Sequence, residues 1–360
     1  MQQPNFNELI HQERTRLLGM LPKGVDVFCS AGCSGTWYFR WIEDSYGPVK
    51  KHIGIELYSP KPDDLPSNVE WIRNSVSEMV DIASASVDLL FSGQNIEHLY
   101  PADLKGFLAE AHRIVKPGGT LCIDSPNRSI TQSGRYVQPE HVLELTVSEA
   151  VHLVSAAGFS VTSVHGIWLC EGDLFKRFEI FDLQDELETQ QRLSVAKSKP
   201  RESFIWWIVA KKTGSPSTTL DNDIDQLFLR DFPGFVRSRF SLGCGTLKSA
   251  SGTESLVEVR PDSSGIVFYG PYVPLTPGRY LAEFMVKTKR SGGKLVFDVV
   301  SSLGAVVHST REHMAEASDE WSSVRLEFSL DAYTTGIETR VLASNASALL
   351  RFGSQIIACS

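Results

Sequence analysis

Over the first two hundred residues, short apolar runs alternate with segments whose apolar residues recur every three to four positions. That alternation restricts the chain to strands separated by helices, and so to a mostly parallel sheet with helices on both faces. A helix is expected over 5–20, where Phe6, Leu9, Ile10, Leu17 and Leu18 share a face. Strands are expected at "VDVFC" (25–29), "HIGIEL" (52–57), "VEWIRNS" (69–75), "SVDLLFSG" (86–93), "TLCIDSP" (120–126), "SVTSVHGIWL" (160–169) and "ESFIWWIVAKK" (202–212). Further helices are expected from about Thr36 to Asp44, over 104–119 with a stop at Pro117 and Gly118, and over 146–159. The last of these begins on Thr146 with Glu149 three residues on, a capping-box pattern. Two strands after the final helix allow an antiparallel hairpin at one sheet edge, separated by a long excursion, 170–200.

The period then changes. A polar stretch over 213–223, with Gly, Ser and Pro, reads as a linker between a first domain (1–212) and a second (224–360). Beyond it, short runs of alternating polarity recur about every ten residues, the pattern of an antiparallel β-sandwich. "KRSGGK" (289–294) is expected to turn a hairpin there, and 264–288 to form a strand, a Pro-bounded loop and a second strand.

Charge and cysteine usage narrow the class. A formal net charge of −8 argues against a general nucleic-acid binder. The six cysteines are scattered, which suits a reduced, cytoplasmic protein. Cys29 and Cys33 lack a second Cys/His pair that would complete a zinc site, so no metal is expected. The first residues lack the apolar core of a secretory signal, and no run of about 18 apolar residues suggests a membrane span.

Four pieces, in order, carry a resemblance: the small-residue loop 30–36, "IGIEL" ending the second strand with Glu56, "SVDLLFSGQNIEHL" (86–99) and "EAHRIVKPGGTLCIDSPN" (110–127). Together they resemble the class I S-adenosylmethionine-dependent methyltransferases, over about residues 20–212. The resemblance implies an α/β Rossmann-like methyltransferase fold with a seven-stranded, mostly parallel sheet, followed here by the all-β sandwich. It implies S-adenosylmethionine as cofactor, held by Ser30, Ala31, Gly32, Cys33 and Gly35 in the loop, by Glu56 and Leu57, by Ser75 and Val76, and by Gly93 and Gln94. Elementary chemistry agrees. Small residues after the first strand allow close approach of an adenosine, and an acid ending the second strand suits two ribose hydroxyls. That acid suits a nicotinamide dinucleotide equally well, so it does not choose the cofactor. Tyr46 and Lys50 have the spacing of a reductase pair, but Gly47-Pro48 between them breaks a helix.

The loop departs from the family pattern. An acid usually precedes it, where this chain has Cys29 or Ser30, and only some of its glycines remain. A non-catalytic binding or scaffold protein on a degenerate fold is therefore the rival reading. The long polar segment 125–146 corresponds to one that covers the acceptor pocket in relatives, and Asn127, Arg128 and Glu144 are its candidate acceptor-binding residues. His141 and His98 are the candidate general bases. The sandwich half resembles modules of bacterial surface-polysaccharide enzymes, some of them similar to carbohydrate-binding modules. Tyr269, Tyr272, Tyr280 and Trp321 are its candidate sugar platforms. That similarity implies a glycan or glycan-linked acceptor methylated on oxygen, and association with a polysaccharide-synthesis complex.

Overall fold

A computed structural model describes residues 5–133, 136–170, 186–249, 255–314 and 316–359. The chain forms two compact units, one of Met1–Tyr136 with Leu143–Arg230, the other of Val137–Val142 with Asp231–Ser360.

In the first unit the expected alternation is realised. The strands are β1 (Val27–Ala31), β2 (Lys51–Glu56), β3 (Val69–Arg73), β4 (Val87–Gly93), β5 (Val115–Pro126), β6 (Phe159–Leu169) and β7 (Ser203–Lys212). They form one sheet in the order β3-β2-β1-β4-β5-β7-β6. All neighbours pair parallel except β7, which runs antiparallel to both β5 and β6. The helices are α1 (Phe6–Gly19), α2 (Thr36–Tyr46), α3 (Pro101–Ile114), α4 (Arg128–Thr131), α5 (Val147–Ala156), α6 (Glu186–Ala196) and α7 (Leu220–Ser238). Side chains of α1 and α2, among them Leu17, Leu18, Phe39 and Ile42, bury against Phe28, Phe91, Trp168 and Trp207 of the sheet. The Thr146 capping box at the start of α5 is present as expected.

Three expectations for local structure need correction. The helix expected over 104–119 ends at Ile114, and "KPGG" lies inside β5. Pro117 disfavours helical geometry at Lys116. The pairing with β4 jumps from Val87–Val115 to Leu89–Thr120, so residues 116–119 bulge from the strand. The linker expected at 213–223 gives way to α7 from Leu220, a helix whose residues up to Arg230 count with the first unit. The excursion 170–200 contains α6, and 171–185 lie outside the described residues.

The second unit is a two-sheet sandwich. One sheet orders Ser322–Leu330, Gly278–Arg290, Ser347–Arg351, Ser255–Val259 and Thr246–Ser249, with Gln355–Cys359 also paired to Gly278–Arg290. The other orders Val306–Met314, Lys294–Ser301, Thr334–Ser344, Ser264–Leu275 and Ser241–Leu242. Val257, Phe284 and Leu350 of the first sheet meet Phe268, Phe297 and Val341 of the second in the core. The "KRSGGK" turn therefore joins no hairpin, because the strands it connects lie in different sheets. Gly292 and Gly293 take φ of +99° and +79°, and Gly293 is pressed against the Asn345 carbonyl. The Pro-bounded loop expected within 264–288 is also corrected. Ser264–Leu275 continues as one strand through Pro271 and Pro274, with register shifts against its partner. Proline lacks an N–H to donate, and it is tolerated at such bulges because an unpaired position asks for no ladder donor.

Candidate functional site

Strand order reverses between β1 and β4, so the crevice beyond the carboxyl ends of these strands is the place where an open α/β sheet receives a ligand. Gly32 follows β1 with φ +80°, and its N–H and that of Cys33 donate to the Ile55 carbonyl at 3.0 and 3.1 Å. A Cβ on Gly32 would stand 2.7 Å from Asn95 Oδ1, and Gly35, at φ +128°, is the N-cap of α2. The glycines the loop retains are thus the two its backbone requires. Ala31 and Cys33 are fully buried, and Cys33 Sγ lies 3.5 Å from the Ile55 carbonyl oxygen. Burial and the nearby Glu56 charge push the Cys33 thiol pKa up, so it stays protonated.

Ser30 does not face the crevice as a ligand. Its hydroxyl is 2.8 Å from His52 Nε2, and both residues are buried. Burial lowers the His52 pKa to about 3. A neutral Ser–His pair occupies the place where an acid was missed.

Glu56 ends β2. Its Oε1 accepts the N–H groups of Tyr58 and Ser59, both at 3.0 Å, while among the described residues Oε2 accepts no protein donor. Leu57 beside it is exposed. After β3, Ser75 Oγ accepts the Ser77 N–H at 3.2 Å and lies 2.8 Å from Ser77 Oγ, which donates to Asp103 at 3.2 Å. Val76 is buried there.

The end of β4 meets a cluster that sequence reasoning missed. Gln94, at φ +53°, donates its N–H to the Asp124 carbonyl at 2.9 Å and its side-chain amide to Asp124 Oδ2 at 2.8 Å. Arg14 of α1 reaches the same carboxylate, Nε to Oδ2 at 2.8 Å and Nη2 to Oδ1 at 3.1 Å. Asp124 is fully buried, and the Arg14 side chain is 12% exposed. Burial opposes the Arg14 charge, but Asp124 more than offsets it and the pKa rises. The guanidinium also lies 5.1 Å from the centre of the Trp41 ring. A Cβ on Gly93 would overlap Arg14 Nη2 and stand 2.8 Å from Asp124 Oδ1. The buried Tyr38 hydroxyl lies near Ser30 and close enough to feel both charges, and burial pushes its pKa up. A signal existed: Arg14 follows Ile10 and precedes Leu18 by four residues each, which puts a cation on the apolar stripe of α1.

The residues expected to bind the acceptor are interior. Asn127 Nδ2 donates to the carbonyls of Arg201 and Ser203, both at 3.0 Å, and its Oδ1 accepts the Ser129 N–H. Arg128 pairs with Glu149, and Glu144 accepts the Thr131 hydroxyl. These side chains hold the segment's shape rather than present it to a substrate, and residues 134–135 of it lie outside the described residues. His98 ends a single 3-10 turn, Ile96–His98, after β4 and is half-buried. His141 is buried and counts with the second unit, where its carbonyl accepts Arg239 Nη1 at 2.9 Å. In the sandwich, Tyr280 is a core residue stacked on Phe328, its hydroxyl donating to the Thr276 carbonyl. Tyr269 and Tyr272 are half-buried with rings 6.3 Å apart, and Trp321 is partly exposed. A cavity of about 650 Å³ is lined by residues of α1 and α2, including His11, Trp37 and Arg40, and by Asp64, and shares Trp41 with the Arg14 cluster.

Residues 29–123 match the family described as methyltransferase domain. A probable S-adenosylmethionine-dependent methyltransferase of Mycolicibacterium smegmatis is 31% identical over 162 residues, which cover 43% of this chain and 60% of that protein. One of Mycobacterium tuberculosis is 32% identical over 102 residues, 28% of this chain and 36% of its own. The chain thus spans less than two thirds of the length of these relatives, 60% of one and 36% of the other. Among solved structures, the S-adenosylmethionine-dependent methyltransferase of Mesorhizobium loti is 14% identical with a TM-score of 0.41, covering 57% of this chain and 99% of that one. The first unit has a Rossmann-like methyltransferase fold, and the strand order with its antiparallel β7 is what defines it.

Proposed function

We propose that the first unit transfers a methyl group from S-adenosylmethionine to an oxygen of a glycan or glycan-linked small molecule, in the cytoplasm and in association with a polysaccharide-synthesis complex. The observation that carries the cofactor part is Glu56 at the end of β2 beside the switch-point crevice, whose Oε2 accepts no donor among the described residues. Its carboxylate would accept the two ribose hydroxyls. Gly32 and Gly35 would let the backbone approach the adenosine, with Leu57 and Val76 as apolar walls for the base, and Gly93 and Gln94 would lie toward the reacting end. When bound, the cofactor supplies a methyl group on a good leaving group, so this chain's part is mainly to position the acceptor in line. His98, half-buried just after β4, is the stronger candidate for removing a hydroxyl proton. His141, buried with the second unit, is the weaker. The glycan class is supported by the sandwich unit and its half-buried Tyr269 and Tyr272, while Tyr280 belongs to the core. Among the described residues, no helix is long and apolar enough to cross a membrane.

Calorimetric titration of the full chain tests the cofactor assignment. Glu56→Ala should weaken S-adenosylmethionine binding about ten- to a hundredfold, since a charge-assisted hydrogen bond contributes about 1.5–3 kcal/mol. Parallel titration with NAD separates the two adenosine-containing ligands. Unchanged S-adenosylmethionine affinity in a folded Glu56→Ala protein would sink the assignment. Binding of neither ligand to the wild type at millimolar concentration would favour a non-catalytic binding protein.

A further inference from the structure

The Arg14–Asp124 pair is an expensive thing to keep at the mouth of a crevice. Burying two opposite charges costs several kcal/mol per ion, and a well-packed apolar pair often serves stability as well or better. The pair is also incompletely saturated. Arg14 uses Nε and one Nη2 hydrogen on Asp124, so Nη1 and its two hydrogens have no protein acceptor among the described residues. Asp124 Oδ2 takes Arg14 and Gln94, whereas Oδ1 takes Arg14 alone and retains a lone pair. Arg14 Nη2 and Asp124 Oδ1 lie against Gly93, which has no side chain of its own to cover them, with the Phe91 ring alongside. A cation with open donors beside an anion with an open acceptor, both nearly nine-tenths buried or more, is the complement of a zwitterion.

We propose that Arg14 and Asp124 together bind the α-amino-acid end of the ligand: the carboxylate on Arg14 Nη1, the ammonium on Asp124 Oδ1. This rests on reading the crevice as an S-adenosylmethionine site. It also accounts for the loop. Ser30 is turned to His52, so β1 ends with no anion for an ammonium, and Asp124, at the end of β5 beside β4, supplies one from two strands away. Gln94 holds Asp124 in register, and the Trp41 face keeps the guanidinium in its plane. The ion pair need not break on binding, since the ligand takes only the open valences.

The test uses the full chain and two probes by calorimetry: S-adenosylhomocysteine, and 5′-methylthioadenosine, which has the nucleoside and thioether but no amino-acid tail. The wild type should prefer S-adenosylhomocysteine by at least about tenfold. Arg14→Gln should weaken S-adenosylhomocysteine about ten- to a hundredfold and leave 5′-methylthioadenosine within about threefold, collapsing the preference. Because losing one member of a buried pair can prevent folding, wild-type protein is also titrated with the decarboxylated and the des-amino analogues of S-adenosylhomocysteine. Each should lose most of the preference. A wild type that binds all four ligands equally, or a folded Arg14→Gln protein that keeps the wild-type preference, overturns the inference while leaving the cofactor reading intact. A wild type that binds none of them overturns both.

Discussion

Gly54 sits in mid-β2, and a methyl group there probes the support beneath the small-residue loop. A Cβ on Gly54 would overlap the rim of the Phe39 ring at Cζ and stand 2.7 Å from Cys33 Sγ. Phe39 has nowhere to retreat. It is 1% exposed, with His52 at 4.7 Å and Trp71 at 6.1 Å between ring centres. Overpacking of a rigid site costs about 1–3 kcal/mol. The lower chain entropy of unfolded Ala returns about 0.4–1 kcal/mol. Gly54→Ala should therefore destabilise the first unit by about 1–2 kcal/mol, a fall of roughly 2–8 °C in its unfolding midpoint at about 2–4 °C per kcal/mol. Cys33 Sγ is the softer neighbour, so part of the displacement should pass into the loop and weaken S-adenosylhomocysteine binding about three- to tenfold. Thermal unfolding and calorimetry on the same preparation give both numbers. Adding Phe39→Leu should recover stability, with a coupling of about 0.5 kcal/mol or more in the double-variant cycle. A Gly54→Ala protein as stable as the wild type, or more so, would refute the packing argument and the claim that Phe39 and Cys33 fix the loop from below.

Two further perturbations read the same unit. His52 has a pKa of about 3 in the fold against 6.5 ordinarily, so above pH 6.5 it is neutral folded or unfolded; below 6.5 the unfolded chain takes up a proton that the native state refuses. Its contribution is whole above pH 6.5 and drains away by up to about 1.4 kcal/mol per pH unit toward pH 3, and His52→Phe should flatten that segment of the urea-midpoint profile by one proton. Thr146→Ala, which removes one half of the α5 capping box, should cost about 0.5–2 kcal/mol in denaturant unfolding with little change in ligand affinity.

What could be read from the sequence was whatever local periodicity encodes. All seven strands of the first unit and the Thr146 cap answer to patterns a few residues long, as does the position of Glu56 at the end of β2. Punctuation misled where tertiary pairing overrode it. Pro117-Gly118 looks like a helix stop, yet the chain had already left the helix at Val115 to pair with Val87. "KRSGGK" looks like a hairpin because two glycines with positive φ serve a hairpin and a sheet-to-sheet crossing equally. The polar residues of 125–146 look like a substrate surface, but Asn127 and Glu144 are engaged by backbone and hydroxyl groups from distant or folded-back parts of the chain. The Arg14–Asp124 pair joins residues 110 positions apart, and no local pattern relates them.

The position of β7 bears on how the chain is made. The last strand of the first unit to be synthesised is not at the edge of its sheet but between β5 and β6, with Trp206 and Trp207 fully buried. Until residue 212 has left the ribosome, β6 has no partner and β5 shows a bare row of peptide groups on one side. Such an edge is a template for pairing with another chain. A nascent chain paused in the 170–200 excursion would hold five strands in place, one strand adrift and a gap between them, a species that invites chaperone capture or aggregation. Insertion of β7 closes that gap in one step, so the first unit gains its sheet late and from the middle.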